Sequence, residues 1–320
     1  MSAGCPICTP LGISCEKGYP DPRKCPSYQG TTETTTASRD EEIDDDAHLV
    51  PWTGNSLGAR GLSFLAACGA TNLSAIVGLS DAGKSTFLLM VYLLLARGYR
   101  LRTGNFAGSL TLGGWDHLAR QMRLTSPDQP RFPPHTPIGA GRHPGMLHLR
   151  LCVPEGGMTD LLLTDASGEW FREWTVEPEG SAAEGARWIV EKADAFLLFV
   201  DCARLSGEPR TVAAPFASTL RLAERLRDHA SGRRVGIVWS KADRAPLPDI
   251  RRRLQEQFAR FFPDHASFEV TVDALRDPTS NRLMHYVEAV DWVAQPRPEG
   301  ISLPDVTTDS EDLFFQIGRS

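Results

Sequence analysis

The run Gly78-Leu79-Ser80-Asp81-Ala82-Gly83-Lys84-Ser85-Thr86 has the spacing GxxxxGK[ST]. Its glycines let backbone N–H groups converge on phosphate oxygens, and a helix starting here would add the positive end of its dipole. Lys84 can reach β- and γ-phosphates, and the Ser85 hydroxyl can ligate Mg²⁺. The apolar run 73–77 precedes the loop and the apolar run 87–96 follows it. A phosphate-binding loop needs that context, a buried strand feeding a buried helix. Nucleoside triphosphate binding is the first chemistry these residues imply, with Gly78, Ser80, Asp81, Ala82, Gly83, Lys84, Ser85 and Thr86 as its cradle.

Two further clusters follow apolar runs. After 160–164 comes Asp165-Ala166-Ser167-Gly168-Glu169. An acid at that strand end can hold Mg²⁺ through water, and Gly168 offers an N–H where a γ-phosphate would sit. After 234–239 comes Ser240-Lys241-Ala242-Asp243. A carboxylate there can accept from both N1–H and the exocyclic amino group of guanine, a pairing adenine cannot reproduce. The Lys241 stem would pack over the base and the phosphate-loop backbone. The expected ligand is therefore GTP or GDP, and an ATPase using the same loop is the disfavoured alternative.

Strand-like runs at 73–77, 146–153, 160–164, 195–200, 234–239 and 268–272 alternate with helical patterns at 85–97, 182–192, 212–230, 248–262 and 279–294. Such alternation predicts an α/β fold with a mostly parallel sheet and helices on both faces. Ligands of that architecture bind at the carboxyl ends of the strands, which is where all three clusters fall. Of the 320 residues, 41% are apolar and 23% charged, an ordinary globular composition. The run 87–96 is half the length a membrane-spanning helix needs, so no span is expected. The N-terminus lacks the basic and apolar regions of a secretory signal, and the expected location is cytoplasmic.

The net charge of −6 belongs to the ends, with nine acids and four bases in 1–48 and five acids and two bases in 296–320. The near-neutral body gives no general electrostatic reason to bind nucleic acid, which is not expected as a partner, and Arg251-Arg252-Arg253 reads as a solvated helix face. Four of the seven cysteines, Cys5, Cys8, Cys15 and Cys25, crowd the first 25 residues. In a reducing compartment four thiolates fit a closed tetrahedral Zn²⁺ site with a structural role; an iron–sulfur cluster and unligated thiols are the alternatives. Cys68, Cys152 and Cys202 read as small core residues. The expected organisation is a Cys-rich zinc knuckle at 1–28, an acidic flexible linker at 29–48, the nucleotide-binding domain at 49–295 and an acidic tail at 296–320 whose Leu313, Phe314 and Phe315 form an apolar plug.

The order phosphate loop, DxxG, [NTS]KxD resembles the TRAFAC class of P-loop GTPases, with a Ras-like G domain, over about residues 70–295. The Cys-rich start, the acidic linker and the stretch 106–115 look, more narrowly, like the double-GTPase-type proteins of bacterial conflict systems. The resemblance implies a regulatory GTPase that switches conformation to control an effector protein, with Mg²⁺ on Ser85 and Asp165. It further implies a switch threonine that joins Mg²⁺. Among Thr111, Thr125 and Thr136, the choice here is Thr111, in an extended switch region, since Lys84 and Asp165 stand 81 positions apart. Glu169 takes the place of a water-orienting residue, which implies slow hydrolysis without a partner, and Ser240 replaces the usual Asn or Thr. Ala274 N–H would meet the guanine oxygen. Asp81 occupies a place where some members carry a cation-binding Asn; a solvent-facing or N-capping role is the preferred reading. The alternative from another class is a non-hydrolysing zinc-knuckle adaptor that holds nucleotide structurally.

Overall fold

The computed structural model describes residues 56–123, 145–154, 156–230, 232–276 and 281–295. All lie in the unit that runs from Pro51 to Ser320. The knuckle, the linker and the tail lie outside the described residues, as do Thr125 and Thr136.

Seven strands form one sheet: β1 (Thr71–Val77), β2 (Asn105–Gly108), β3 (Gly145–Cys152), β4 (Met158–Asp165), β5 (Ala195–Asp201), β6 (Arg234–Ser240) and β7 (Ala266–Val270), in the order β2-β3-β4-β1-β5-β6-β7. The five strands from β4 to β7 in that order are parallel, while β3 pairs antiparallel with both β4 and β2. The chain crosses from β1 to β4 on one side and on to β5 on the other. This reversal opens a crevice above the carboxyl end of β1.

Each face of the sheet is covered. On one, α2 (Lys84–Ala96), α3 (Leu112–Arg123) and α8 (Arg282–Ala294) pack Phe87, Leu88, Trp115 and Tyr286 on Ile76, Leu161, Leu197 and Phe199. On the other, α4 (Gly168–Val176), α5 (Glu184–Lys192), α6 (Pro209–Arg227) and α7 (Pro248–Phe261) pack Phe171, Ile189, Leu222 and Phe258 on Val77, Phe196, Leu198 and Ile237. Alternation along β5 supplies both cores, and all seven of its residues are buried. The short helix α1 (Ala59–Cys68) adds Leu65 to a smaller cluster with Leu57, Leu73, Met146 and Leu162.

The helix α2 is apolar nearly all round, as expected of a helix between sheet and neighbours, and buries Phe87, Leu88, Leu89, Met90, Val91 and Leu94. It stops at Gly98, whose φ of 90° lets Tyr99 N–H donate to Leu94 O and Gly98 N–H to Leu95 O. Three helices were not expected from the pattern. Both α3, with Gly113-Gly114 near its start, and α4, directly after the DxxG turn, read as loops; α1 lies before the first expected strand. Strand β7 ends at Val270, two residues earlier than its apolar run implies, because Val272–Arg276 turns into a 3₁₀ helix. Cys202 is a buried core residue as expected, whereas Cys152, at the end of β3, is exposed. Arg252 and Arg253 are exposed on α7, as expected of a solvated face; Arg251 pairs with Glu269, Arg252 with Glu256 at 2.8 Å, and Arg253 lies over Phe216. No helix among the described residues is long and apolar enough to cross a membrane.

Candidate functional site

Above the carboxyl ends of the parallel strands a cavity of about 890 Å³ is walled by residues 80–87, the turn 166–169, Ala203 and Arg204 after β5, the turn after β6, and residues 270–273. That volume lies within the usual range of small-molecule sites. The three clusters expected to act together therefore face one space.

At the end formed by the glycine-containing loop, Gly83 has φ 83° and Lys84 opens α2, whose first turn closes with Phe87 N–H donating to Gly83 O at 2.9 Å. The Lys84 side chain is buried beneath the loop, and its Nζ donates to Gly78 O at 2.9 Å and Leu79 O at 3.0 Å. Burial lowers its pKa to about 8, against the opposing pull of Asp165 and Asp81. Ser85 Oγ donates to Asp165 Oδ1 at 3.0 Å, so the hydroxyl and carboxylate expected to share a cation are already neighbours. Gly168 presses directly on the loop: a Cβ there would lie 2.3 Å from Ser80 N. Ser167 caps α4 by accepting from Glu169 N–H at 3.3 Å, and Glu169 sits exposed in the first turn beside the cavity.

At the other end, the buried Ser240 hydroxyl donates to Val200 O at 3.2 Å, and its side chain stands against Gly83. Lys241 adopts φ 53° and donates from Nζ to Asp201 Oδ2 at 2.7 Å. Asp243 Oδ1 accepts from the buried Thr271 hydroxyl at 2.7 Å, and Ala242 N–H donates to Val270 O at 3.1 Å. Thr271 and Arg204, which line the cavity, and Asp201, which holds Lys241 beside it, are residues that the motifs did not reveal. Thr271 reads as an interior residue of the expected strand 268–272. Asp201 had a signal, a lone acid closing a six-residue apolar run at a strand end.

Four expected site residues do not line the cavity: Asp165, which is joined to it through Ser85, and Gly78, Ala274 and Thr111. Gly78 lies below its floor, where a Cβ would stand 2.8 Å from Phe199 Cβ, so glycine allows close approach of β1 and β5. Ala274 is buried in the 3₁₀ helix and its N–H donates to Thr271 O at 3.3 Å; Val272 and Asp273 line the cavity instead. The early end of β7 causes this shift. Thr111 is also fully buried, and its hydroxyl accepts from His148 N–H at 2.8 Å. Because β3 is antiparallel to β4, Gly145 pairs with Asp165 at the carboxyl end of β4 while His148 pairs with Leu162, lower in the sheet. Thr111 therefore anchors the start of α3 and does not line the cavity.

A buried web surrounds that anchor. Leu110 N–H donates to His148 Nδ1 at 2.9 Å, which leaves the ring proton on Nε2 to donate to Asp160 Oδ1 at 2.8 Å. Arg150 adds two bonds to Asp160, at 2.7 and 2.8 Å, and Trp115 Nε1 donates to His148 O at 3.0 Å. Burial holds the His148 pKa below its ordinary value. Among the described residues no group of three or more His, Cys, Asp or Glu stands together as a metal site, and Cys5, Cys8, Cys15 and Cys25 lie outside them.

A family model described as Double-GTPase 2 matches residues 72–292, from β1 into α8, and takes in all three clusters. No curated protein matches the chain.

Proposed function

The chain belongs to the Double-GTPase 2 family, and on that premise we propose that it binds GTP with Mg²⁺, hydrolyses it, and uses the difference between the two nucleotide states to control a partner protein. The observation that carries this reading is the meeting of the phosphate loop, the Ser167-Gly168 turn and Asp243 around one cavity. Asp243, held by Thr271, supports guanine over adenine.

The neighbouring Ser85 hydroxyl and Asp165 carboxylate are hard oxygen donors that suit Mg²⁺. Bound Mg²⁺ would neutralise charge on the β- and γ-phosphates. Lys84 would exchange its two carbonyl partners for phosphate oxygens, and the loop N–H groups with that of Gly168 would stabilise charge on the transferring group. Glu169, exposed at the rim, would orient the attacking water. The turn 271–273, rather than Ala274, would meet the guanine oxygen. Release of the product would free the segments next to Gly168, a difference that an effector can read. Zinc at Cys5, Cys8, Cys15 and Cys25, and a role in a bacterial conflict or defence system, are parts of the proposal that rest on thiol spacing and on the resemblance alone.

Phosphate release from GTP and ATP, measured with Mg²⁺ on wild type, Lys84→Ala and Asp243→Asn together with binding of both nucleotides, tests this reading. The expected result is GTP-selective release lost in Lys84→Ala, with Asp243→Asn shifted towards xanthine nucleotides. Tight GTP binding without release would make the protein a non-hydrolysing adaptor. Binding of neither nucleotide would remove the proposal.

A further inference from the structure

Asp81 places a carboxylate inside a loop whose task is to hold phosphates. Repulsion at that range weakens anion binding unless a cation answers it. The structure supplies one. Arg204 Nη2 donates to Asp81 Oδ2 at 3.0 Å, and both residues line the cavity.

The pair is built into the fold on both sides. Asp81 adopts φ 65°, a left-handed conformation uncommon outside glycine, Asn and Asp. Arg204 follows β5, and its backbone N–H donates to Asp201 Oδ1 at 3.3 Å, as does Ala203 N–H at 3.0 Å. The second oxygen of Asp201 takes Lys241 Nζ at 2.7 Å and stands 3.7 Å from Arg204 Nε. Asp81, Arg204, Asp201 and Lys241 thus form a chain of alternating charge from the phosphate loop to the base-reading turn. The strands β4 and β5 flank β1 on opposite sides, so Gly168 meets the loop from one side and Arg204 from the other.

We propose that Arg204 sets nucleotide affinity by neutralising Asp81, which makes an acidic phosphate loop able to accept a polyphosphate. This rests on the guanine-nucleotide reading above. Because Arg204 lies on the side away from Gly168, where the γ-phosphate is expected, it acts on GDP and GTP alike. Asp81 is exposed, as the solvent-facing reading expects, and the pairing with Arg204 gives that exposed carboxylate a use.

The full chain is titrated with fluorescent GDP and a fluorescent non-hydrolysable GTP analogue, in low and high salt, for wild type, Arg204→Ala, Arg204→Gln, Asp81→Asn and the double variant Asp81→Asn/Arg204→Ala. Both Arg204 variants are expected to bind both nucleotides roughly tenfold more weakly at low salt, and less so at high salt, where the repulsion is screened. Asp81→Asn alone, which leaves the Arg204 charge unanswered beside the phosphates, is expected to bind both nucleotides more tightly than wild type at low salt. The double variant should return to within about twofold of wild type, because the charge that needed an answer is gone. Arg204→Gln keeps much of the side-chain stem and so separates lost charge from lost packing. Unchanged binding in the Arg204 variants, or a defect that persists in the double variant, overturns the proposal; the second result would make Arg204 a direct phosphate ligand. A wild type that binds neither nucleotide overturns the guanine-nucleotide reading with it, whereas a binding wild type confines the failure to Arg204.

Discussion

Lys84 is buried with two carbonyl partners and a pKa lowered to about 8, so its charge responds to a pH range where an exposed lysine stays charged. The unfolded value, 10.5, is the higher one, so between about pH 8 and 10.5 the unfolded chain binds the extra proton. Stability of the nucleotide-free protein therefore gains as pH rises through that window, and the burden of a buried charge is fully present below it. Nucleotide affinity runs the other way, because phosphates favour the charged amine. Affinity is expected to be nearly flat from pH 7 to 7.5 and to fall by up to about tenfold per pH unit above 8. Nucleotide titrations across that range check this. Lys84→Arg, whose guanidinium stays charged, should bind more weakly throughout but lose the lysine's part of the dependence. The lysine was legible from its motif; its depressed pKa was not, because that depends on what covers it.

At the scale of elements, Gly168 ties α4 to the phosphate loop by having no side chain. A Cβ there would stand 2.3 Å from Ser80 N and 2.4 Å from Leu79 C, both backbone atoms that cannot swing aside. Gly168→Ala is expected to push the start of α4 away from the loop, lower nucleotide affinity by at least about tenfold and reduce stability by roughly 1–3 kcal/mol through overpacking. Binding titration and urea unfolding read the two effects. An unchanged affinity would mean that the helix start can retreat freely. The six expected strands are present, and so are the five expected helices, because their apolar runs are long and bounded by breakers. The helix α4 hid behind Gly168, which serves a contact, and α3 behind the helix-disfavouring pair Gly113-Gly114; β7 ends two residues earlier than its apolar run, so Val272 and Asp273 rather than Ala274 line the cavity.

Across the whole molecule, nucleotide would join loops that follow β1, β4, β5, β6 and β7, so binding should strengthen the domain as a unit. At a concentration near 100 times Kd, GDP is expected to add about 2.7 kcal/mol to stability, seen as a rise in Tm that ATP does not produce. Trp174 is buried on α4 and Trp170 half-buried beside the cavity turn, so their fluorescence should change in the same titration. A Tm that responds equally to GDP and ATP would argue against base reading by Asp243. Residues local in the chain, such as 78–86, 165–169 and 240–243, declare their chemistry through type and spacing, since a phosphate or a guanine edge demands those groups at short range. Long-range partners carry no such mark. Nothing in the local pattern pairs Asp81 with Arg204, Asp243 with Thr271, or Thr111 with His148. Strand order and register bring them together, because the polar groups that the sheet buries must find partners wherever the fold delivers them.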